Sequence, residues 1–471
     1  MLYKEITIIY IIMRKKKKFD CIETFYENIK SHKNDLPTDF DSVSVNINTN
    51  SWFNIKKNNS LLKYNNIRIK KMSIDDELIK CQKIKMVLTA EQKLILTKWF
   101  NSCTDMYNET LKYIINNYRF VKEDITLDIL NEQDETKQFY SFYNIRKKLI
   151  DIKKDIIKKS QLNTTEKNTE IYTHILDYSI KQVCSNIKSA MSNLYNGNIK
   201  RFRMKYWKKN RPSQTMDIEM QYIRNNKICF PILGDIKYIY NKKEFKLNNI
   251  TSGVKINYNN IIDEYTLLVP IKTEKIKLEN KENNLISLDP GLRTFMTGIC
   301  ENGSLEIGTN INNHVRQQLK RLQIIKNNEK IPNKIKKKNE LLINRKISNQ
   351  IDDLHWKSIN YLVSNYETII LGNMSAKSIV SNENKCLSKL QKKACLRTKY
   401  YEFYQRLQFK CNMYDVNYKL VNESYTSMTC SMCSFSKEDL GSSKIYICDK
   451  CDNLIDRDIN GARNIYIKSL S

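Results

Sequence analysis

No stretch of this chain approaches the roughly 20 apolar residues that a transmembrane helix needs. The nearest candidate, Ile6–Met13, is short, and the cationic cluster Arg14–Lys18 follows it instead of preceding it, the reverse of a secretory leader. A disulfide-type cysteine pattern is missing too. The thirteen are odd in number, and most, Cys21, Cys81, Cys103 and Cys184 among them, have no pairing spacing. That excludes a secreted disulfide framework and suits a reducing compartment. Acid is scarce: 51 Asp and Glu face 80 Lys and Arg, a net charge of +29. An AT-rich coding sequence enriches Lys together with Asn and Ile, but it does not create so large an excess over acid. The charge runs the whole length of the chain and is interleaved with 28 tyrosines, so the polyanion it predicts is nucleic acid. The expectation is a soluble, intracellular protein with no membrane partner.

What is present is organised around residues 421–464. Cys430, Cys433, Cys448 and Cys451 form CxxC, fourteen residues, then CxxC. Two tight turns at that spacing each offer a pair of thiolates to one tetrahedral zinc ion, a closed site that folds the local chain and does no chemistry. Glu423 stands just before this finger, and Asp456 and Asp458 just after it. Carboxylates flanking a metal-stapled finger predict an insert in a larger catalytic domain.

Residues 1–80 are polar, Asn- and Ser-rich and weakly periodic, and read as a partly disordered extension. Arg14–Lys18 serves equally as a nuclear localisation signal or as a phosphate-touching run. Lys83–Leu88 reads as a strand, and Thr89 with Gln92 as a capping box opening a helix to about Tyr118. Further helices fit Tyr143–Lys159 and Ile175–Tyr195, whose apolar stripes are core. In Lys200–Arg211, the cations Lys200, Arg201, Arg203, Lys205, Lys208, Lys209 and Arg211 surround Tyr206 and Trp207. Cations neutralise phosphates and aromatics stack on unpaired bases, so these nine are the candidate nucleic-acid contacts; the alternative is a basic connector with its aromatics in the core. Short strands from about Lys227 predict a small antiparallel barrel, completed by Lys83–Leu88 and interrupted by a helical insertion over about 89–214.

At Asn284 the pattern changes. A buried strand runs into Asp289 and the turn Pro290-Gly291, a way of presenting a metal-binding carboxylate at a sheet rim. Two meander strands follow, then two basic helices broken near Pro332, a strand at Thr368–Leu371, a helix over about Lys392–Tyr414, a strand at Asn417–Val421, the finger, and a terminal helix Ile459–Lys468. That order is the order of an RNase H-like fold, with Asp289 on the central strand and Asp458 opening the last helix. In that fold carboxylates hold two magnesium ions about 4 Å apart for phosphodiester hydrolysis, because Mg²⁺ demands hard oxygen ligands.

The segments LDPGLR (Leu288–Arg293), YTSMTCSMC (Tyr425–Cys433), CDKC (Cys448–Cys451) and DRDINGARNI (Asp456–Ile465) resemble the transposon-encoded TnpB nucleases and, beyond them, the type V CRISPR effectors. The likeness covers about Asn284–Lys468, and more loosely Lys83–Asn108. It implies a multidomain α+β protein: an extension (1–80), a wedge β-barrel with a helical recognition insertion (81–283), and a RuvC-type nuclease domain (284–471) with a zinc-ribbon insert at about 426–455. It also implies an RNA-guided DNA endonuclease, with a guide RNA from the flanking locus, a double-stranded DNA target that becomes unwound, structural Zn²⁺ and catalytic Mg²⁺. Asp289 matches the family's first RuvC aspartate and Asp458 its last, while Asp456 is a neighbour.

One departure stands out. Where these proteins end the fourth strand in Glu-Asp, this chain has Gly372-Asn373. Glu367 lies five residues earlier, where strand alternation points it to the opposite face. Glu423 ends the neighbouring strand and is the expected third ligand, a relocation that resembles the eukaryotic and viral relatives called Fanzor. That likeness implies a nuclear location if the host is a eukaryote or its virus. Two other readings stay open: an RNA-guided binding protein that does not cut, and a DDE-type transposase or integrase, which would not predict the cysteine insert.

Overall fold

The computed structural model describes residues 44–48, 54–59, 78–117, 125, 141–161, 169–248, 250–276, 278, 281, 283–309, 311–374, 376–381, 387–437, 441 and 443–470. The run Arg14–Lys18 lies outside them. They form two compact units. One comprises residues 79–273; the other comprises the described residues from 274 onward with two earlier strands, β1 (Ser44–Asn48) and β2 (Asn54–Asn59).

In the first unit, strand β3 (Ile79–Val87) leads into helix α1 (Ala90–Asn117), followed by α2 (Phe142–Lys148), α3 (Ile150–Ser160) and α4 (Thr173–Tyr195). Strands β4 (Ser213–Ile218), β5 (Ile223–Arg224) and β6 (Lys227–Ile228) come next, then the single turn α5 (Phe230–Leu233), β7 (Lys237–Tyr240), β8 (Lys243–Phe245), β9 (Val254–Asn259) and β10 (Glu264–Lys272). Six of the strands make one antiparallel sheet, ordered β4-β9-β10-β3-β7-β8. The expected capping box is formed: the Gln92 amide N–H donates to Thr89 Oγ1 at 3.2 Å, and the Thr89 N–H to Gln92 Oε1 at 2.9 Å. The α1 stripe of Leu96, Trp99, Phe100, Cys103, Met106, Tyr107, Leu111 and Ile114 is buried. Two expectations need correction. The helix predicted over Tyr143–Lys159 breaks at Leu149, and the apolar run after Ile228 turns into α5 because Cys229 takes a left-handed conformation (φ 47°).

In the second unit a seven-stranded sheet runs β1-β2-β13-β12-β11-β14-β15, with β11 (Asn283–Pro290), β12 (Met296–Cys300), β13 (Gly303–Ile307), β14 (Tyr366–Gly372) and β15 (Asn417–Val421). Strand β11 is central, antiparallel to β12 and parallel to β14, and β14 is parallel to β15. The edge pair β1–β2, from the segment read as an extension, joins through β2 to β13 and buries Ile55. Helices α6 (Ile311–Asn327), α7 (Asn333–Asn365), α8 (Ala376–Val380), α9 (Lys389–Thr398) and α10 (Tyr400–Met413) precede β15. The single helix expected at Lys392–Tyr414 is thus two, divided at Lys399 (φ 53°), where His355 Nε2 donates to Thr398 O at 2.9 Å. A ribbon, β16 (Ile445–Ile447) and β17 (Leu454–Asp456), then leads into the terminal helix α11 (Arg457–Ser469).

Side-chain alternation on the central strands decides what faces what. Ile286 and Leu288 on β11, with Ile369 and Leu371 on β14, enter the main core with Phe295, Ile351 and Leu354. The opposite parity, Leu285 on β11 and Ile370 on β14, packs with Val421 and Ile465, and Ser287 Oγ donates to Ala462 O at 2.8 Å. Asp289 and Gly372 share that second parity and so face α11.

Candidate active site

The acids are delivered by three separate elements. Asp289 lies near the end of β11, Glu423 two residues beyond β15, and Asp458 in the first turn of α11. All three line one cleft of about 780 Å³, together with the cations Arg293, Arg316 and Arg457. Two glycines let the carboxylates sit so close to the framework. A Cβ built on Gly461 would overlap the Asp289 carboxylate, and one built on Gly372 would lie 3.2 Å from Glu423 Oε2, 3.1 Å from Pro290 Cδ and 2.7 Å from Ile465 Cδ1. The space beside position 372 on β14 is therefore taken by the glutamate that follows the next strand. Glu367 is exposed and carries the parity of Ile369 and Leu371, so it is excluded from the cleft.

Crowding acids in this way costs electrostatic energy. Burial, then the charges of Glu423 and Asp458, raise the Asp289 carboxyl well above the usual range, against the opposing pull of Arg457. Burial pushes Glu423 up to about 7, opposed by Lys468. Asp458 is raised by burial and by Asp456, and opposed by Lys444, Arg293 and Arg457. In all three the leading cause is burial, which penalises the charged form, and at Asp289 and Asp458 neighbouring carboxylates add to it. Glu423 Oε2 is buried without a hydrogen-bond partner among the described residues. A buried carboxylate oxygen left unpaired is costly, and hard-oxygen acids pointed at one space fit a divalent cation such as Mg²⁺. Asp456 has a different job. Its carboxylate caps α11, accepting from the amides of Asp458 (2.9 Å) and Ile459 (3.3 Å), and pairs with Lys444 at 3.2 Å.

The backbone around Glu423 is tied down on every side. The Asn373 N–H donates to Val421 O at 2.8 Å, Asn422 Oδ1 accepts from the Ser424 amide at 2.9 Å, and the Thr426 amide donates to Glu423 O at 3.1 Å. Helix α11 adds a polar stripe at four-residue spacing that sequence reading did not single out. Asn460 donates to Thr429 O at 2.7 Å and accepts from the Ser431 amide at 2.9 Å. Asn464 donates to Thr426 O at 2.8 Å and to Thr429 O at 2.6 Å. Lys468 donates to Asn422 O at 3.4 Å and to Ser424 O. The spacing was visible in the sequence, but the carbonyls it reaches lie in a turn with no periodic signal.

The four cysteines converge as expected, with every sulfur within 4.8 Å of the others. Cys430 and Cys451 are 3.7 Å apart and Cys433 and Cys448 3.4 Å, close to the roughly 3.8 Å edge of a zinc tetrathiolate with 2.3 Å bonds. Amides of Met432 and Lys450 point at the first sulfur of each pair, and each knuckle ends in a left-handed residue, Ser434 and Asp452. The cluster fits zinc.

The basic segment needs a correction. Trp207 stacks on Tyr107 with centroids 3.5 Å apart and planes 7° apart, and the Arg211 guanidinium covers the other face at 3.4 Å. Asn108 grips the Trp207 backbone at 2.7 and 3.0 Å, and burial lowers Arg211 to about 10. Both faces of the indole are occupied, so Trp207 has none for a base, and Arg211 is committed to it. Lys209 pairs with Asp105 at 2.8 Å. Lys200, Arg201, Arg203, Lys205, Tyr206, Lys208 and Lys209 are exposed, whereas Phe202 and Met204 turn inward. Among the described residues, no helix is long and apolar enough to cross a membrane.

The family model described as Cas12f1-like, TNB domain matches residues 400–465. The mini-RNA-guided endonuclease CRISPR-Cas_phi3, a solved structure, aligns over 84% of this chain and 93% of its own, with a TM-score of 0.43 and 9% identity. Two TnpB-like proteins of Acanthamoeba polyphaga mimivirus, L770 and R854, are each 32% identical over 449 residues, which is 89% of this chain and 83% and 82% of theirs. At that identity over that span, the chain belongs to the TnpB-like protein family.

Proposed function

We propose that this protein is an RNA-guided DNA endonuclease that hydrolyses phosphodiesters in a RuvC-type, RNase H-like domain formed by its second unit. The observation that carries the reading is the convergence of Asp289, Glu423 and Asp458 on one cleft, with Glu423 Oε2 buried and unpaired. These carboxylates would hold Mg²⁺, which when bound activates water and stabilises the leaving oxygen. Among the described residues only the cysteines form a group of three or more ligands within 4.8 Å. The more widely spread carboxylates suit a pair of ions about 4 Å apart better than one ion. Arg293, Arg316 and Arg457 line the same cleft and attract the phosphate backbone to it. Zinc at Cys430, Cys433, Cys448 and Cys451 staples the finger, and its fold carries the 426–431 turn to α11.

The unit 79–273 is assigned as wedge sheet and recognition helices, with Lys200, Arg201, Arg203, Lys205, Tyr206 and Lys208 as contacts to a guide RNA from the flanking locus. Sequence specificity then comes from guide–target pairing. The test is Mg²⁺-dependent cleavage of guided DNA by the protein purified with that RNA, with target binding measured in parallel. Wild type is expected to cut, and Asp289→Ala and Glu423→Ala to bind without cutting. Cleavage by Glu423→Ala at the wild-type rate removes Glu423 from the site. A wild type that binds its guided target and never cuts makes the protein a targeting factor.

A further inference from the structure

Helix α11 supplies Asp458 from its first turn, and its last turn carries Lys468, ten residues on. The Lys468 ammonium donates to the carbonyls of Asn422 and Ser424, the residues on either side of Glu423. It is also the cation that opposes burial at the Glu423 carboxyl. We propose that Lys468 is a positioning residue for Glu423: by clamping both flanking carbonyls, it fixes the reach and direction of a glutamate that sits in a loop.

A strand residue such as one at position 372 would be aimed by the sheet ladder. Glu423 lies two residues beyond β15 and has no ladder partner of its own. Its backbone direction is set by local bonds: the Asn422 side chain holds the Ser424 amide (2.9 Å) and hydroxyl (2.7 Å), and Thr426 holds Glu423 O through its amide (3.1 Å) and hydroxyl (2.8 Å). Those bonds close the turn upon itself, but they do not attach it to the rest of the site. Lys468 attaches the 422–424 side of the turn to the helix that bears Asp458, extending the stripe by which Asn460 and Asn464 hold the 426–431 side. A hydrogen-bond donor that orients a ligand from behind is worth about 10- to 100-fold in metal affinity.

The inference rests on the reading of Glu423 as a metal ligand, and its test separates the two. Amide hydrogen exchange is followed in the full chain, without added metal, for wild type, Lys468→Met and Lys468→Arg. In Lys468→Met, exchange of the Ser424 and Thr426 amides is expected to rise about ten-fold, while α11 residues 460–465 and the zinc content stay unchanged. Lys468→Arg, which keeps charge and donors, restores protection. Mn²⁺ binding, titrated on the same proteins, is expected to weaken about ten-fold in Lys468→Met and to recover in Lys468→Arg. Unchanged exchange at Ser424 and Thr426 overturns the proposal, as does equal loss of protection along α11, which would mark Lys468 as merely structural. Raised exchange with no Mn²⁺ binding by wild type sinks the metal-site reading and leaves the clamp standing. Should Lys468→Met fail to fold, Lys468→Gln, with a shorter donor, is judged by the same two amides.

Discussion

Placing any side chain at position 372 tests whether that side chain and Glu423 are mutually exclusive. Gly372 is buried on the α11 face of β14, and its added Cβ would sit 2.7 Å from Ile465 Cδ1, 3.1 Å from Pro290 Cδ and 3.2 Å from Glu423 Oε2. Pro290 cannot move without shifting the Asp289 turn, so Ile465 and Glu423 must give way. Overpacking of this kind costs about 1–3 kcal/mol, more than the roughly 0.4–1 kcal/mol that replacing glycine returns through the unfolded chain. Gly372→Ala is therefore expected to destabilise by about 1–2 kcal/mol on these two magnitudes. Ile465→Val removes the nearest clashing atom and alone costs about 0.5–1.5 kcal/mol. The double variant should thus lose at least about 0.5 kcal/mol less than the sum of the singles, the signature of a shared contact. Urea unfolding of the four proteins reads these values directly. Gly372→Glu goes further, because it places a second carboxylate beside Glu423. It is expected to abolish guided cleavage, and Gly372→Glu with Glu423→Ser to recover part of it. A neutral or stabilising Gly372→Ala, or a fully active Gly372→Glu, would refute the steric argument.

Five further outcomes follow from the structure. Gly461→Ala, which improves helix propensity by about 0.5–1 kcal/mol, should nevertheless cut cleavage by about 100-fold or more by displacing the Asp289 carboxylate, a loss read in single-turnover assays. Chelation, or Cys448→Ser, is expected to remove one zinc ion per chain by metal analysis and lower the melting temperature, because the closed site folds the finger. Trp207→Ala should destabilise the 79–273 unit by about 3–5 kcal/mol. Tyr206→Ala, on a side chain 53% exposed, should leave stability unchanged and weaken RNA binding in filter or mobility-shift assays. His355 is held neutral, its Nδ1 accepting from Arg406 at 3.1 Å, and burial with that guanidinium lowers its pKa to about 3. Below pH 6.5 only the unfolded chain takes up this proton, so stability is full above that pH and falls as pH drops toward 3. The loss is about 2 kcal/mol at pH 5, and unfolding curves of His355→Phe should lack that slope.

Legibility followed the range of the interactions. The cysteine finger and its spacing are local, and all four sulfurs meet as read. Asp289 was read from a buried strand followed by Pro-Gly, a local pattern that β11 reproduces, and alternation, a period-two rule, sufficed to turn Glu367 away. What could not be read depends on distant partners. Nothing near Gly372 announces Ile465, and nothing near Trp207 announces that Tyr107 and Arg211 will take both of its faces, since aromatics among cations look the same whether they turn in or out. Strands β1 and β2 are short and polar, with one described buried side chain, Ile55, and acquire their identity only because β2 pairs with β13 and β1 with β2. The break at Lys399 rests on a left-handed lysine, a conformation that no residue preference signals.

If Glu423 is the ligand proposed above, its place beyond the end of a strand has a geometric account. A pair of metal ions responds to where oxygens are in space, and the sequence position of the backbone that delivers them is immaterial. Position 372, on a strand, and Glu423, just past the end of the adjacent parallel strand, reach the same volume, as Gly372 pairs with Val421 and Glu423 follows two residues later. A strand residue is aimed by its ladder, whereas a residue past the strand end has to be aimed by side chains. The price of that place is therefore a set of clamps, and this chain has them: Asn373 on Val421, Thr426 on Glu423, and Lys468 on Asn422 and Ser424. If the site depended on the carboxylate alone, Gly372 and Glu423 could be exchanged without regard to α11. The geometry ties them to it through Ile465, which closes the 372 position, and Lys468, which opens the 423 position one turn later on the same helix.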